Sequence, residues 1–575
     1  MALGRLLACA FLALSLGSSA AAGEQEPPAS PEVQSEARIA SDDAAPKQEP
    51  AAEPQVQSVL PAGLAPELEQ RLTATGRLTN AERADREALK LFYADRQNDP
   101  LWTIQTGYTE AAEAARAEIA RADDWGLQSS AYRIPALSAG RELTRDERAD
   151  AEVALSLAIL QYARHARGGR TDPISLSRNL DRQPLLLDPR TVIEAAATTS
   201  APDAYLRSLH PQHPQFERLR RLYLVAKHTD PREDDVSTGK GKGAKKRASS
   251  QSGPTSEKIL VNMEQWRWMP EHMGRFYVWV NIPEYMVRVI KDGREIHSER
   301  VVVGRTTTPT PIFSDEMQHI IFHPFWNVPD SIKNNELLPN LQAGDLSVLS
   351  RQNLRIALRG RDIDPGTVDW GRADMRKYHV YQPPGGGNAL GIVKFLFPNK
   401  HDVYLHDTPS KGLFESHTRA YSHGCIRVRH PLKLAEVLLG EDQGWSSSRV
   451  AMTAQRGPQD NQVNLHAKMP VHLTYFTMWV DDDGRVRTFS DVYDHEHRIA
   501  YGLAGKPHLI RREPEPPPPA VVQARRAPRW TATTEPSSGS RRSYGYGSTG
   551  SRSSGSSRGV SSGSDTDWIR RVFQY

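Results

Sequence analysis

The chain has 575 residues, of which 38% are hydrophobic and 25% charged, with a net charge of +4 at neutral pH. That length accommodates two or three domains, while frequent Pro and Gly set aside several stretches as too poor in apolar residues to pack. The charge balance is close to neutral, and much of the basic excess lies in Lys, Gly, Ser and Arg-rich segments, so nucleic-acid binding is excluded as the reading of that excess.

The N-terminus, MALGRLLACAFLALSLGSSAAAG, has the build of a secretory signal peptide over residues 1–22. Arg5 supplies a basic start, Leu6 to Gly17 an apolar run, and Ala20-Ala21-Ala22 a cleavage site. The apolar run is shorter than the ~20 residues a bilayer needs, so an exported, non-spanning mature protein is expected. Cys9 lies inside that run and should leave with it. Residues 23–63, made of Ala, Pro, Glu, Gln and Ser, cannot bury enough surface to offset chain entropy and read as a disordered tether.

Residues 64–230 turn helical. Thr79-Asn80-Ala81-Glu82 and Thr144-Arg145-Asp146-Glu147 are capping-box patterns, the second leading into an apolar run from Val153 to Tyr162 that should stop at Gly168-Gly169. A further helix is expected from Glu110 to Ala122. These make an all-α module of ordinary domain size, with no catalytic constellation. Residues 231–258 (PREDDVSTGKGKGAKKRASSQSGPTSEK) read as a basic Gly/Ser linker.

From 259 to 505 the pattern is predominantly β. FYVWVNIPEYMVRVIKDGREIHSERVVVG places β-branched and aromatic runs around Pro283 and a hairpin turn at Lys291-Asp292-Gly293. More strands are expected at Met317 to Phe322, Asp402 to His406, Val471 to Val480 and Arg485 to Phe489. A short helix should begin at Pro431. Residues 337–400, centred on PPGGGNALG, interrupt this pattern as a shaped loop that could cover a site. Residues 506–575 are Pro-rich, then Ser, Gly, Arg and Tyr-rich, and read as a disordered tail.

The densest histidine stretch, YLHDTPSKGLFESHTRAYSHGCIRVRHP, holds Cys425, the single cysteine expected in the exported chain. An unpaired thiol in an oxidising compartment is a reactive group or a liability. Three readings compete. A metal site would use His401, His406, His417, His423 or His430 with Cys425, but the tight pairs of zinc ligands are missing. A buried inert thiol is the common fate of free cysteine, yet Ser422, His423 and Arg427 beside it would be costly to bury without purpose. An activated nucleophile fits the spacing: if 422–427 is extended, His423, Cys425 and Arg427 share one face, and an imidazole and a guanidinium favour the thiolate. Gly424 would leave its own N–H and that of Cys425 open to an oxyanion.

Ser422-His423-Gly424-Cys425-Ile426-Arg427 resembles the S-H-G-C-[IV]-R signature of the L,D-transpeptidase (YkuD-type) catalytic domain, and His406 in Leu405-His406-Asp407-Thr408 resembles the histidine upstream of it. NMEQWRWMP, VVVGRTTTPTPIFSD, HPFWNVPDSI and PPGGGNALGIVKFLFPNKHDVYLHDTP resemble the large multi-domain members of Gram-negative bacteria. The resemblance implies an α+β chain: a mostly-β catalytic domain with helical insertions behind an all-α scaffold, with disordered tails, acting in the periplasm. It implies that Cys425 attacks the bond after the meso-diaminopimelate L-centre of a tetrapeptide stem, releases D-alanine and passes the acyl group to a neighbouring stem, giving a 3→3 cross-link. In this carry-over His423 is the general base, and His406, Arg427, Gly424, Ser422 and Asn388 serve the substrate or the oxyanion. Residues 383–391 correspond to a cover over the site. Acylation of Cys425 by carbapenems is a further family expectation. No cofactor and no metal is implied; the partners are donor and acceptor stem peptides. Hydrolysis by the same thiol, as a carboxypeptidase or endopeptidase, and a non-catalytic wall-binding role are the alternatives.

The chain departs from larger relatives in one respect. The peptidoglycan-binding pattern F-Q-x-x-x-G-L-x-x-D-G is replaced, between scaffold and catalytic domain, by the basic segment 231–258. Its clustered charge points to contact with anionic wall or outer-membrane components. Deleting it should then weaken sacculus binding and flatten its salt dependence in a pull-down series.

Overall fold

A computed structural model describes residues 64–73, 76–137, 140–229, 255–511 and 513. The expected leader, the tether, most of the basic segment and the tail beyond 513 lie outside the described residues.

The helical module is built around α1 (Ala65–Leu72), α2 (Asn80–Asp95), α3 (Glu110–Ala120) and α4 (Arg145–Gly168). Both capping boxes form: Thr79 and Thr144 accept from the backbone N–H of Glu82 and Glu147, whose carboxylates reach back to the N-cap backbone. α3 stops two residues earlier than expected, at Ala120. The long α4 is the spine, with Leu155, Ile159 and Tyr162 fully buried against Leu89, Tyr93 and Trp102. Glu152, also buried, is held there by donors from four residues: the N–H groups of Leu101 (2.6 Å) and Trp102 (3.0 Å), the Tyr93 hydroxyl (2.8 Å) and the Thr103 hydroxyl (2.9 Å). A buried carboxylate is tolerable only with such a full set of donors.

This module is not a separate bead on a string. Leu176 and Leu180, which follow α4, are buried in the core of the β domain. Phe216, Leu219 and Tyr223, from the helix Pro214–Thr229, pack with Trp266, Tyr277, Trp279 and Phe476. The basic segment also ends sooner than its composition indicates. Thr255 caps a helix, α5 (Ser256–Arg267), by accepting from the Lys258 N–H, because Ile259, Val261, Met263 and Trp266 give the chain an apolar face to bury from that point.

The β domain is a nine-stranded sheet closed on itself. Its strands are β1 (Phe276–Asn281), β2 (Met286–Lys291), β3 (Arg294–Gly304), β4 (Ser314–Phe322), β5 (Val393–Leu396), β6 (Leu405–His406), β7 (Ala420–Ser422), β8 (Ile426–Val428) and β9 (Asn461–Thr474). Their order is β7-β3-β8-β6-β5-β4-β9-β1-β2, and β2 also pairs with β3, which gives the barrel-like closure. The Asp292-Gly293 turn joins β2 to β3 as expected. Two expected strands have other bounds: β6 is shorter, and β9 both starts earlier, at Asn461, and ends earlier. Asp402 has φ +53°, so β6 starts only at Leu405. β9 ends at Thr474 and a separate strand follows at Met478–Val480, because Tyr475, Phe476 and Thr477 turn into the interior. Val301, Val303, Phe395, Leu405 and Ile426 fill the inner face of the sheet. The helix from Pro431 forms and runs to Gln443.

The insertion is shifted from its expected span of 337–400: it begins by Trp326, and the last part of that span belongs to the main sheet as β5. A four-stranded sheet pairs Trp326–Asn327 with Tyr378–Gln382, and the latter with Arg355–Leu358, and it encloses its own cluster of Trp326, Leu341, Ile356, Trp370 and Val380. Tyr404 of the main sheet belongs to this cluster, and Cys425 packs against it. The insertion therefore sits over the outer face of the sheet at the cysteine.

Candidate active site

The site is built on the outer face of three neighbouring strands. β6 and β8 are parallel, with Leu405 opposite Ile426 and His406 opposite Arg427, and β5 brings Lys394 opposite His406. Leu405 and Ile426 point into the core, so Lys394, His406 and Arg427 form one outward row. One pleat before it, the Tyr404 carbonyl accepts from the Ile426 N–H at 3.0 Å, which sets Tyr404 beside Cys425. The strands thus gather an imidazole, a thiol, a phenol and two cations from three separate stretches of the chain, at 394, 404–406 and 425–427.

Cys425 keeps part of its surface open, yet atoms of the sheet and the insertion crowd it. Burial raises its thiol pKa; the Tyr404 backbone N–H, the Lys394 charge, the Tyr404 hydroxyl and the Arg427 charge pull the other way without reversing the shift. Partial access to solvent keeps that rise smaller than full enclosure would. At neutral pH the group rests as a thiol, and its proton faces the Asp402 carbonyl at 3.7 Å. The Lys394 ammonium lies 3.9 Å over the Tyr404 ring, which holds both donors in place.

His406 is 3% exposed, and burial together with the Arg427 charge lowers its pKa to about 3. It is neutral at pH 7. Its Nδ1–H donates to the Asp407 carbonyl, which leaves Nε2 as the basic nitrogen. Asp407 is itself tied down: its carboxylate accepts from Ile392 N–H (2.9 Å), Thr408 N–H (2.7 Å) and Lys411 Nζ (2.6 Å). A Cβ on Gly391, where φ is +59°, would lie 2.3 Å from Asp407 Oδ2. Gly391→Ala should therefore cost about 2–4 kcal/mol in denaturant unfolding, from left-handed strain plus overpacking, and lower activity further by moving Asp407.

His423 stands differently from its expected place. The chain is not extended through 423–425: Gly424 has φ +115° and bends it, so the predicted row of His423, Cys425 and Arg427 does not form. His423 Nε2 instead lies 2.7 Å from the carboxylate of Glu336 in the insertion and against the Arg305 guanidinium, which is itself 3.7 Å from the same carboxylate. Glu336 sits in a π-helical turn, Lys333–Leu337, a widening often found at functional positions. His423 thereby fastens the cover to the cysteine loop.

Three further expectations change. The Ser422 hydroxyl, 2% exposed, donates to the Cys425 carbonyl at 2.5 Å and accepts from the Gly424 N–H at 3.1 Å, so it staples the turn and uses up the Gly424 N–H expected to serve an oxyanion. Asn388 is 1% exposed, and its amide is spent on the carbonyls of Pro324 (3.1 Å) and Pro383 (3.0 Å) and on the Leu390 N–H (2.8 Å). Neither side chain has a group left for a substrate. Conversely Tyr404, Lys394, Asp407 and Glu336 were not singled out; Tyr404 and Asp407 flank His406 in a motif that could have named them. Among the described residues the one cluster with metal-binding geometry is Asp491, Asp494 and His497, which includes none of these residues.

The described residues thus form a helical module followed by a closed mostly-β sheet with a cysteine and a histidine on its outer face. Residues 275–453 match the family model for the L,D-transpeptidase catalytic domain (YkuD), and residues 87–222 match that of the scaffold domain. The chain carries an L,D-transpeptidase catalytic domain. It is also similar to a Haemophilus influenzae protein named "Putative L,D-transpeptidase", 32% identical over 253 residues, which are 44% of this chain and 50% of that protein. The chain thus spans about half the length of this curated relative. Among solved structures it is similar to an L,D-transpeptidase from Mycobacterium smegmatis (13% identity, 35% of this chain, 58% of that chain, TM-score 0.16). L,D-transpeptidase 3 from Mycobacterium tuberculosis overlaps comparably (13%, 35%, 61%, TM-score 0.17). No helix among the described residues is long and apolar enough to cross a membrane.

Proposed function

We propose that the protein is a periplasmic peptidoglycan L,D-transpeptidase that forms 3→3 cross-links through a cysteinyl acyl-enzyme, and that His406 rather than His423 is its general base. The observation that carries this is the outward face of β6 and β8, where a neutral imidazole with its Nδ1–H committed to a carbonyl shares a patch with a thiol. Such a pair needs no prior ionisation. His406 Nε2 takes the thiol proton as sulfur attacks the stem carbonyl, so the S–C bond forms while the proton moves. The Tyr404 donors stabilise sulfur as its charge develops, and the Cys425 N–H is the backbone donor for the oxyanion, since the Gly424 N–H is engaged by Ser422. On collapse the bond to D-alanine breaks and the imidazolium returns its proton to the leaving amine. An amine of a second stem then attacks the thioester, loses a proton to His406 and restores the thiol.

The test is incubation with disaccharide-tetrapeptides and mass spectrometry of the products. Cross-linked dimers with released D-alanine support transfer. Tripeptides alone mean that water is the acceptor and the enzyme a hydrolase. Unchanged substrate would overturn both.

A further inference from the structure

The helical module looks remote from the chemistry, yet one stretch of it touches the loop that leads into the groups around Cys425. After α4 the chain runs back along the β domain. The Asn179 carbonyl accepts from the Ile312 N–H at 2.7 Å, and Leu180 bridges Ile312 in parallel register. Arg182 is 5% exposed; it donates to the Leu473 carbonyl at 2.7 Å and to the Ser314 hydroxyl. Between these anchors Asp181 points at the loop 397–404. Its carboxylate receives Lys400 Nζ at 2.9 Å and His401 Nε2 at 2.8 Å. Burial alone would raise its pKa, but the hydrogen bonds and charges of Lys400 and His401 leave the carboxyl below its ordinary range.

That loop ends in the groups that hold the sulfur. Asn399 closes it from within: its amide donates to the Phe397 (2.6 Å) and Val403 (2.7 Å) carbonyls and accepts from the His401 (3.0 Å) and Val403 (3.2 Å) N–H groups. The His401 ring also packs on Phe313, centroids 5.0 Å apart. With both faces of the turn fixed, Asp402 is held at φ +53° with its carbonyl on the Cys425 sulfur, and Tyr404 follows with its N–H and hydroxyl. Asp enters the left-handed region more readily than most residues, and the contacts on both sides of the turn fix Asp402 there. Here the outermost of those contacts is a carboxylate from the scaffold.

We infer that Asp181 is a positioning residue for the nucleophile: the scaffold, through Asp181 and the 397–404 loop, sets the groups around Cys425 and so the reactivity of its sulfur. This rests on the proposed role of Cys425 but is read out separately from turnover. Lys400 is largely exposed, with 66% of its side chain accessible, so the His401 contact, with 22% accessible, carries more of the coupling.

The test compares wild type with Asp181→Asn in the full chain, following alkylation of Cys425 by iodoacetamide across pH through peptide mapping, beside circular dichroism. The expected result is a folded protein whose alkylation midpoint moves to higher pH, because the Tyr404 donors are displaced. Turnover should fall about ten- to a hundred-fold in kcat with little change in KM, the scale of effect for misplaced reacting groups. Asp181→Glu should restore part of the rate, and His401→Gln should reproduce the shift from the other side of the contact. An unchanged alkylation profile in both Asp181→Asn and His401→Gln overturns the inference even if cross-linking is observed. A shifted profile in a protein that makes no cross-links upholds it and removes the functional reading instead. If Asp181→Asn does not fold, the His401→Gln profile decides alone.

Discussion

Cys425→Ala should make no cross-linked dimer from disaccharide-tetrapeptides, a fall of about 10⁴-fold or more in turnover, with a thermal midpoint close to that of wild type. The size of the loss follows from covalent catalysis: deleting a nucleophile leaves only the uncatalysed encounter of stem and amine in a binding cleft. Its separation from stability follows from where the sulfur sits. Cys425 is half-buried and packs on the edge of the insertion's cluster, with only a 3.7 Å contact to the Asp402 carbonyl and the Tyr404 donors at its sulfur, so its removal opens no enclosed cavity in the main core. Substitutions at such positions cost about 1 kcal/mol or less. The staple that shapes the turn uses the Cys425 carbonyl and the Ser422 hydroxyl, and survives the change. Differential scanning calorimetry beside the product assay checks both halves. Wild-type rates in the variant would refute the covalent mechanism; an unfolded variant would refute the placement of the thiol at the periphery of the core.

The candidate thiol and the first strands of the β domain were legible because both signals are local. SHGCIR is a contiguous signature, and runs of β-branched and aromatic residues mark β1 to β4 without reference to anything distant. Local reasoning failed at Gly424, where strict alternation assumed a continuous strand and a positive φ redirected His423 to the cover. It failed at Asn388 and Ser422 for a different reason. A polar residue in a recognisable motif is as often a builder of the loop as a donor to a ligand, and only burial and partner counts separate the two. The extent of the insertion was hidden because Trp326–Asn327 pairs with Tyr381–Gln382, far along the chain. The contact from Asp181 to His401 spans the helical module, the basic segment and half the β domain, and has no local pattern. What a sequence window does not contain is the return of the chain upon itself.

The distinction between the two histidines can be drawn by pH. His406 is held neutral by burial and by Arg427, with a pKa of about 3 against an ordinary value near 6.5, so lowering the pH from 7 toward 5 does not protonate it. The wild-type kcat/KM should therefore stay nearly level from about pH 5 to 8 instead of falling with a midpoint near 6.5. The same depression means that acid unfolding draws on His406: stability is complete above the ordinary histidine range and is lost as the pH drops toward its folded pKa. His406→Gln removes the acceptor of the thiol proton and should lower kcat/KM about 10²- to 10⁴-fold at neutral pH. Its residual activity must then use preformed thiolate. Because burial raises the Cys425 pKa, that activity should climb about ten-fold per pH unit through the neutral range. His423→Gln should behave otherwise. Its loss leaves Glu336 with Arg305 alone and loosens the cover, which lowers affinity for the stem peptide more than it lowers kcat, and the profile stays level because the proton acceptor is intact. A steep alkaline climb in His423→Gln together with a level profile in His406→Gln would return the base to His423; the reverse pattern assigns it to the imidazole on β6.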